Sequence, residues 1–351
     1  MCAAGGGKTT RIVGQAISET TSRVALVTYT RNNEKEIERK FYEHAPAIPS
    51  RVEVMTWFSF LLRELARPYR PALHNQRIDG LHWIEGRSVP YVPESNTAAH
   101  YFAGGRYIYS DKISKFVCEC DRLTGGAVMR RLAHRFDHIF IDEIQDMAGY
   151  DLEVLELILR AGIKLSLVGD HRQATFRTNQ AKKNAAFAGF NIINKFQQWH
   201  KGGLAVLSYE QHTHRCHQHI ADLGDSFFPS EPTTKSLSAT TTSHDGVFIV
   251  ASSNVPDYVR RFLPQVLRLD KKTHCHDLAA MNFGESKGLT FDRVLVFPHG
   301  LGKKWLGTGD IKHVEKSLAK MYVGVTRARY SVAFVFDGAV KIPGARAYPQ
   351  K

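Results

Sequence analysis

The segment Ala3-Ala4-Gly5-Gly6-Gly7-Lys8-Thr9-Thr10 does most to decide the fold. Glycines let backbone N–H groups close around phosphates, and the lysine and hydroxyl that follow supply a cation and a metal ligand. We predict that Lys8 reaches the terminal phosphates of a nucleotide and that Thr9 binds Mg²⁺; the alternative is a flexible glycine-rich tail. The predicted phosphate-binding residues are Gly5, Gly6, Gly7, Lys8, Thr9 and Thr10.

The start of the chain departs from the usual form of this loop. Its first glycine position is occupied by Cys2, and Met1 and Cys2 are all that precede the loop where a central strand normally stands. A parallel sheet without that strand would leave backbone groups unpaired. We expect upstream residues with an apolar strand of about five residues; the alternative is that another segment fills the gap.

A second motif, Ile139-Phe140-Ile141-Asp142-Glu143-Ile144-Gln145-Asp146, is an apolar strand that runs into acidic residues. At the end of such a strand Asp142 can hold Mg²⁺ through water, and Glu143 can polarise an attacking water. The alternative is an acidic helix start that interacts with the helix dipole. The apolar strand followed by DExQD makes that alternative the weaker one.

Short β-branched runs followed by helical patterns recur along the whole chain. Such runs predict strands buried on both faces of parallel sheets, so the predicted fold class is α/β. Residues 151–160 (DLEVLELILR) have the apolar period of a helix that packs on a sheet. The predicted strands are 24–28, 52–56, 139–141, 165–168, 248–250, 294–297 and 332–336.

The composition indicates the class of binding partner and the cellular location. The formal net charge of +13 and the pI near 9.5 favour a polyanionic partner. No apolar stretch is long enough to span a membrane and the first residues do not form a signal peptide, so we expect a cytoplasmic protein. The five scattered cysteines predict reduced thiols and no disulfide framework.

The motifs together resemble a known family. The acidic motif followed by Leu167-Val168-Gly169-Asp170-His171-Arg172-Gln173 is similar to motifs II and III of the UvrD/Rep helicases, in superfamily 1A. Other segments resemble the remaining motifs in family order: 27–32 (Ia), 55–60 (Ib), 207–215 (IV), 284–292 (V) and 322–329 (VI).

The resemblance implies two RecA-like P-loop domains with parallel sheets and a small helical insertion in the first. The first lobe would comprise 1–58 and 136–200, the inserted 1B-like subdomain 59–135, and the second lobe 201–351. A Ser-, Thr- and Pro-rich loop is expected at 229–243. Only about 68 residues separate motifs IV and V, so a full 2B subdomain is not expected.

The resemblance also assigns residues to the nucleotide. Gln173 would sense the γ-phosphate, and Arg215 and Arg327 would contact it from the second lobe, with Arg327 between two short strand-like segments. Gly288 and Thr290 would lie beside the nucleotide, although Thr290 stands where the family has a ribose-binding glutamate. The predicted catalytic residues are Glu143, Gln173, Arg215 and Arg327, and the metal-binding ones are Thr9 and Asp142.

Motifs Ia and Ib imply a single-strand channel in which hydroxyls contact phosphates and aromatic faces contact bases. Either motif alone is more often plain packing at a strand end. The nucleic-acid-binding residues implied by the resemblance are Thr28, Tyr29, Thr30, Asn32, Thr56, Phe58, Phe176, Ser286 and Lys287.

The function expected from the resemblance is ATP-dependent movement along single-stranded DNA, in the 3'-5' direction, with ATP and Mg²⁺ as cofactors. Two alternatives stay open: a DNA-stimulated ATPase that remodels or serves a nuclease partner without unwinding, and a non-catalytic nucleic-acid-binding module. RNA stays open as an alternative track, because phosphate contacts carry no base information.

A cluster of histidines and cysteines at 211–219, with His274-Cys275-His276 later, raises the question of a zinc site. Structural zinc sites use two separated ligand pairs, whereas we expect residues 211–219 to lie on one helix. A metal site is therefore the weaker interpretation, and Cys118-Glu119-Cys120 is treated as incidental.

Overall fold

The computed structural model describes residues 1–349, and these form two compact units. Unit 1 consists of Met1 and Lys8–Ser208, and unit 2 consists of Cys2–Gly7 and the residues from Tyr209 onward. The glycine-rich loop thus groups with unit 2, while the helix that follows it belongs to unit 1. The finer division of the chain into two lobes and an insertion stays a prediction.

Unit 1 is built on a four-stranded parallel sheet. In chain order its elements are α1 (Lys8–Ser18), β1 (Val24–Thr28), α2 (Arg31–His44), β2 (Val52–Thr56), α3 (Trp57–Phe60), α4 (Arg67–Tyr69), β3 (Gly80–His82), α5 (Thr97–Tyr101), β4 (Phe102–Ala103), β5 (Tyr107–Tyr109), α6 (Ile113–Leu123), α7 (Ala127–Arg135), β6 (His138–Ile141), α8 (Tyr150–Arg160), β7 (Lys164–Leu167) and α9 (Ile192–Lys201).

The strand order of this sheet is β2-β1-β6-β7, with every pair parallel. All five residues of β1 and all four of β6 are buried, as expected for strands covered on both faces. The side chain of Thr30 caps α2 by accepting a hydrogen bond from Asn33 N. Parallel strands place their carboxyl ends at one edge, where Asp142 follows β6 and Gly169 follows β7.

The segment 59–135 was expected to be mainly helical, and it also contains a three-stranded sheet of order β3-β5-β4. Its strands are two or three residues long, too short to give a clear alternation of apolar and polar residues. The segment packs on the core of unit 1 through buried residues such as Phe102, Ile108 and Phe116.

Unit 2 is built on a six-stranded sheet. Its elements are β8 (His212–Thr213), α10 (Gln218–Asp225), β9 (Lys235–Ser236), β10 (Gly246–Val250), α11 (Val255–Phe262), β11 (Gln265–Arg268), β12 (Ala280–Asn282), β13 (Phe291–Phe297), α12 (Gly300–Thr308), α13 (Leu318–Val325), β14 (Ala328–Val335) and β15 (Ala345–Tyr348).

The strand order in unit 2 is β12-β11-β13-β14-β10-β15, and every pair is parallel. The predicted fold class, α/β with parallel sheets, is confirmed. No helix within residues 1–349 combines the length and the apolar character needed to cross a bilayer.

Candidate nucleotide site and nucleic-acid interface

The first cluster of predicted site residues lies in unit 1, where α1 begins beside the end of β6. Thr9 Oγ1 donates a hydrogen bond of 2.7 Å to Asp142 Oδ2. Burial raises the pKa of the Asp142 carboxyl and the neighbouring Glu143 raises it further, whereas Lys8 and Thr9 act in the opposite direction. A buried carboxylate next to a hydroxyl provides two oxygen atoms of the kind that hard cations bind.

Glu143 has a backbone conformation that non-glycine residues seldom adopt, with φ of 58°. Strained backbone of this kind is often found where a side chain must be aimed at a reaction centre. The Gln145 amide donates to Glu143 Oε2, and Gln145 Oε1 accepts from Asp170 N at 3.0 Å. Gln145 is fully buried, so it ties the acidic motif to the turn that follows β7.

Gly169 makes this link sterically possible. A Cβ at this position would lie 2.3 Å from Gln145 Oε1 and 2.7 Å from Ile144 Cγ2. Any larger residue would push the two turns apart. The glycine of the Val-Gly-Asp sequence is therefore required by the close approach of its neighbours.

Gln173 lies in the same cluster, because its Nε2 donates to Asp170 Oδ2 at 3.0 Å. Burial acts to raise the pKa of Asp170, but Arg172, Lys8 and Gln173 outweigh it and hold the pKa below its ordinary value. Lys8 thus acts electrostatically on both Asp142 and Asp170. Unit 1 brings Lys8, Thr9, Asp142, Glu143 and Gln173 together.

The glycine-rich loop packs within unit 2 against the segment around Arg215. Gly5 has φ of 74°, and a Cβ there would lie 2.5 Å from Arg215 Cβ and 2.7 Å from Thr213 Oγ1. Gly7 has φ of 71° with open space around it, so its backbone is accessible to a ligand. Arg215 Nη1 donates to Thr326 O at 3.2 Å.

Arg327 lies in a different setting from the one expected. It follows helix α13 and precedes β14, so the prediction of strand-like segments on both sides of it is corrected: Tyr322–Val325 is helical. Arg327 is 1% exposed, and its guanidinium donates to Val323 O at 3.0 Å and to Leu289 O at 3.2 Å. The second bond ties it to the turn that carries Gly288 and Thr290.

A cluster of aromatic rings lies on unit 1. Tyr29 and Phe58 have ring centroids 5.8 Å apart, Tyr29 and Phe176 5.5 Å, and Phe58 and Trp83 4.8 Å. Phe58 is 6% exposed, whereas Phe176 is 54% and Trp83 65% exposed. Rings that combine buried and open faces in this way suit stacking against bases. Trp83, in the segment 59–135, was missed because it matches no family motif. A tryptophan in a polar loop was the available signal.

Several residues predicted to contact nucleic acid have other roles here. Thr28 and Ser286 are fully buried, and Ser286 Oγ donates to Phe283 O, so neither hydroxyl is available at the surface. Thr30 and Thr56 cap the helices that follow them. Of the others, Asn32 is exposed and Lys287 is partly exposed.

Asp151 connects the segments around the aromatic cluster. Its buried carboxylate accepts a 3.1 Å hydrogen bond from Trp57 Nε1 and further hydrogen bonds from Ser114 and Thr178. Burial raises its pKa, although these three donors oppose the shift. Asp151 thereby fixes α3, α6 and the loop that bears Phe176 relative to one another.

The histidine-rich segment 211–219 was expected to lie on one helix, and this expectation is wrong. Residues 212–213 form β8 and α10 begins at Gln218. Within residues 1–349, no three His, Cys, Asp or Glu side chains are grouped so that they could hold a metal ion. The five cysteines are free.

A family model that describes the UvrD/REP helicase N-terminal domain matches residues 109–189. Over this segment the chain is UvrD/Rep-like. The UvrD/Rep-like segment contains Asp142, Glu143, Gln173 and Phe176, so it spans both the acidic motif and part of the aromatic cluster.

The chain is also similar to solved helicase structures at 14% identity. For arterivirus nonstructural protein 10, a helicase, the TM-score is 0.49, and 95% of this chain and 58% of that one are covered. For the PRRSV helicase it is 0.45 (97% and 54%), and for the arterivirus protein in complex with DNA 0.46 (95% and 58%). The chain thus spans less than two thirds of their length. No curated protein matches it.

Proposed function

We propose that the protein is an ATP-dependent DNA helicase or translocase of the UvrD-like type, which hydrolyses ATP to move along single-stranded DNA in the 3'-5' direction. The observation that carries this proposal is the 2.7 Å hydrogen bond between Thr9 Oγ1 and Asp142 Oδ2. It joins the hydroxyl of the phosphate-loop motif to the carboxylate of the acidic motif, which are the two protein ligands that Mg²⁺ uses in P-loop enzymes.

The residues present fit ATP and Mg²⁺. The backbone of Gly5 and Gly7 takes left-handed conformations that a Cβ would obstruct or strain, which is what a phosphate cradle requires. When bound, Mg²⁺ would neutralise phosphate charge and orient the phosphates for in-line attack. Thr9 and Asp142 would hold the ion, and Lys8 would bind the phosphate oxygens.

The remaining residues would act on the attacking water and on the charge of the phosphates. Glu143 would orient the water and accept its proton, with Gln145 holding the carboxylate in place. Gln173 would sense the γ-phosphate, since hydrogen bonds link it through Asp170 to Gln145. Arg215 and Arg327 are the residues of unit 2 that we assign to phosphate charge.

Single-stranded nucleic acid would bind where Phe176 and Trp83 expose their rings. Stacking on such rings tolerates any base sequence, which suits movement along a strand. Asp151 would keep this surface in a fixed relation to the acidic motif, because it lies in the helix that follows that motif.

The test combines two assays on the wild-type chain: ATP hydrolysis with and without single-stranded DNA, and unwinding of duplexes that carry a 3' or a 5' single-stranded tail. The proposal predicts DNA-stimulated hydrolysis and unwinding of the 3'-tailed duplex. Stimulated hydrolysis without unwinding would favour a remodelling ATPase that serves a partner such as a nuclease. Binding without any hydrolysis would indicate a non-catalytic nucleic-acid-binding module.

A further inference from the structure

A cavity in unit 1 is lined by an excess of positive side chains. Its volume is about 290 Å³, and its charged lining residues are Arg87, Lys112, Lys115, Lys182, Lys183 and Asp111. Lys115 is paired with Glu94, and Lys183 lies 3.4 Å from Glu153. The other three cations form no ion pair with a described residue. We call this cavity the basic pocket.

The one carboxylate in this lining is already engaged. Asp111 accepts hydrogen bonds from Ser88 N at 2.9 Å and from Ser88 Oγ at 2.8 Å. Arg87 is held in place by its own bond, from Nε to Gln180 O at 3.1 Å. The positive charge in the pocket therefore comes from both loops and helix α6 and is only partly compensated.

Helix α6 makes the pocket more positive still. Its N-cap residue is Lys112, which provides no side-chain cap, and its first turn contains Lys115 and no acidic residue. Lysines are unfavourable at a helix N-terminus, where the helix dipole and the unpaired N–H groups favour an anion. Burial lowers the pKa of Lys112, and the charge of Lys115 adds to this effect although Asp111 opposes it. An anion in the pocket would offset all of these costs.

His100 provides an independent sign that a ligand belongs here. It lines the pocket and is 8% exposed, and its Nε2 is buried without a hydrogen-bond partner. Its Nδ1 lies 2.9 Å from Val92 O and 3.4 Å from Lys112 Nζ. Because the shorter contact is to a carbonyl oxygen, which only accepts, we assign the proton of the neutral ring to Nδ1. Beside an anion the ring could take up a second proton, and Nε2 would then become a donor.

We propose that the basic pocket binds a phosphate group of a single-stranded polynucleotide, separately from the nucleotide site. The proposal rests on the proposed function. Two loops connect the basic pocket to the aromatic cluster. Loop 83–88 carries both Trp83 and Arg87, and loop 174–184 carries both Phe176 and Lys182. A strand that stacks on these rings would have its backbone beside cations from the same loops, as in other single-strand grooves.

The test measures how the affinity for a labelled oligothymidylate depends on salt. In single strands each neutralised phosphate contributes about 0.7 to the slope of log K against log salt. The Lys112→Gln, Lys182→Gln double variant should lower this slope by about 0.7, the share of one phosphate, and weaken binding on the order of tenfold at low salt. Lys112→Arg should retain the wild-type slope. Lys182→Gln alone, on an exposed loop, should lower the slope by about half as much as the double variant does.

The matched control is the Lys201→Gln, Lys271→Gln double variant, which removes the same charge from exposed positions elsewhere and should keep the wild-type slope. If the wild type binds the oligonucleotide and the pocket variant has the same slope, the proposal for the basic pocket is wrong and the proposed function still stands. A wild type that does not bind the oligonucleotide would overturn the proposed function itself.

A second arm separates a polynucleotide from a free phosphate. Inorganic phosphate and pyrophosphate are titrated while the melting temperature of the wild type and of Lys112→Gln is followed. If phosphate stabilises the wild type and not the variant, while the oligonucleotide slope is the same in both, the pocket serves a small anion and the proposal is wrong. A lower slope in the variant, with equal phosphate shifts in both proteins, supports the polynucleotide.

Discussion

The charge of Lys8 acts on two carboxylates of the candidate nucleotide site, those of Asp142 and Asp170. It opposes the raised pKa of Asp142 and helps to lower that of Asp170. We expect Lys8→Ala to weaken binding of a labelled ATP analogue at least about tenfold, since the loss of one well-placed charge costs more than about 1.4 kcal/mol.

Equilibrium titration measures this directly, with Lys201→Ala as a control that removes a lysine from the exposed end of α9. Equal dissociation constants for the wild type and Lys8→Ala would remove Lys8 from the phosphate site. A loss of affinity in both variants would show that net charge, and not position, sets the affinity.

Trp83 is the most exposed ring of the aromatic cluster, at 65%, and it touches the buried Phe58 edge-on. We expect Trp83→Ala to weaken binding of single-stranded DNA by about 1–3 kcal/mol, the usual contribution of one stacked base. The effect should be similar for oligothymidylate and oligoadenylate. Tyr91→Ala is the control, because Tyr91 lies in the same segment, 59–135, and is 97% exposed. A loss of equal size in both variants would contradict a specific role for Trp83.

Motif matching predicts the residue types of the candidate site better than their environments. Thr28 and Ser286 match the motifs but are fully buried, because the backbone around them turns their hydroxyls inward. Gln145 was quoted as part of the acidic motif without a role. Its role depends on the contact with the turn after β7, and only the folded chain shows that contact.

At the scale of elements, strands β1 and β2 begin and end at the residues predicted from the sequence. Short runs rich in valine and other residues that favour strands give such elements a clear signal. The segment before Arg327 was also expected to be strand-like, yet Tyr322–Val325 is the end of α13. Short apolar runs do not distinguish a buried strand from a buried helix, so tertiary packing decides.

The core of unit 2 contains a histidine between two aromatic rings. The ring centroid of His244 lies 3.7 Å from that of Phe248 and 3.8 Å from that of Phe262, and both pairs are stacked. His244 Nε2 lies 3.0 Å from the hydroxyl of Tyr258. Burial, reinforced by the nearby positive charges of Arg293 and other arginines, lowers the pKa of His244 to about 4. The folded chain therefore binds a proton here less readily than the unfolded chain does.

The protein should therefore lose stability as the pH falls. Because the pKa in the folded state is below the unfolded value, the stabilisation from neutral His244 is present above about pH 6.5 and is lost as pH falls towards 4. Across that range we expect roughly 2–3 kcal/mol of lost stability. His244→Phe should flatten the fall in melting temperature between pH 6.5 and 4. The exposed His44→Gln is the control, and an unchanged slope in His244→Phe would contradict the assignment.

At the scale of the whole molecule, the net charge of +13 favours a polyanionic partner, as the proposed function requires. Charge indicates only the class of partner. The motif order gave the position of the acidic cluster, and the family match at residues 109–189 covers it. The basic pocket was not foreseen, because its lysines come from segments far apart in the chain that only folding brings together.

The central claim is that hydrolysis depends on Glu143 and is coupled to a nucleic-acid strand. The most direct measurement is steady-state ATP hydrolysis by the wild type and by Glu143→Gln, each with and without saturating single-stranded DNA, alongside titration of a labelled ATP analogue. We predict DNA-stimulated hydrolysis in the wild type. In Glu143→Gln turnover should fall at least about a hundredfold with analogue affinity retained, because only the proton acceptor is removed. Near wild-type hydrolysis in Glu143→Gln, or a wild-type rate that DNA does not change, would contradict the account.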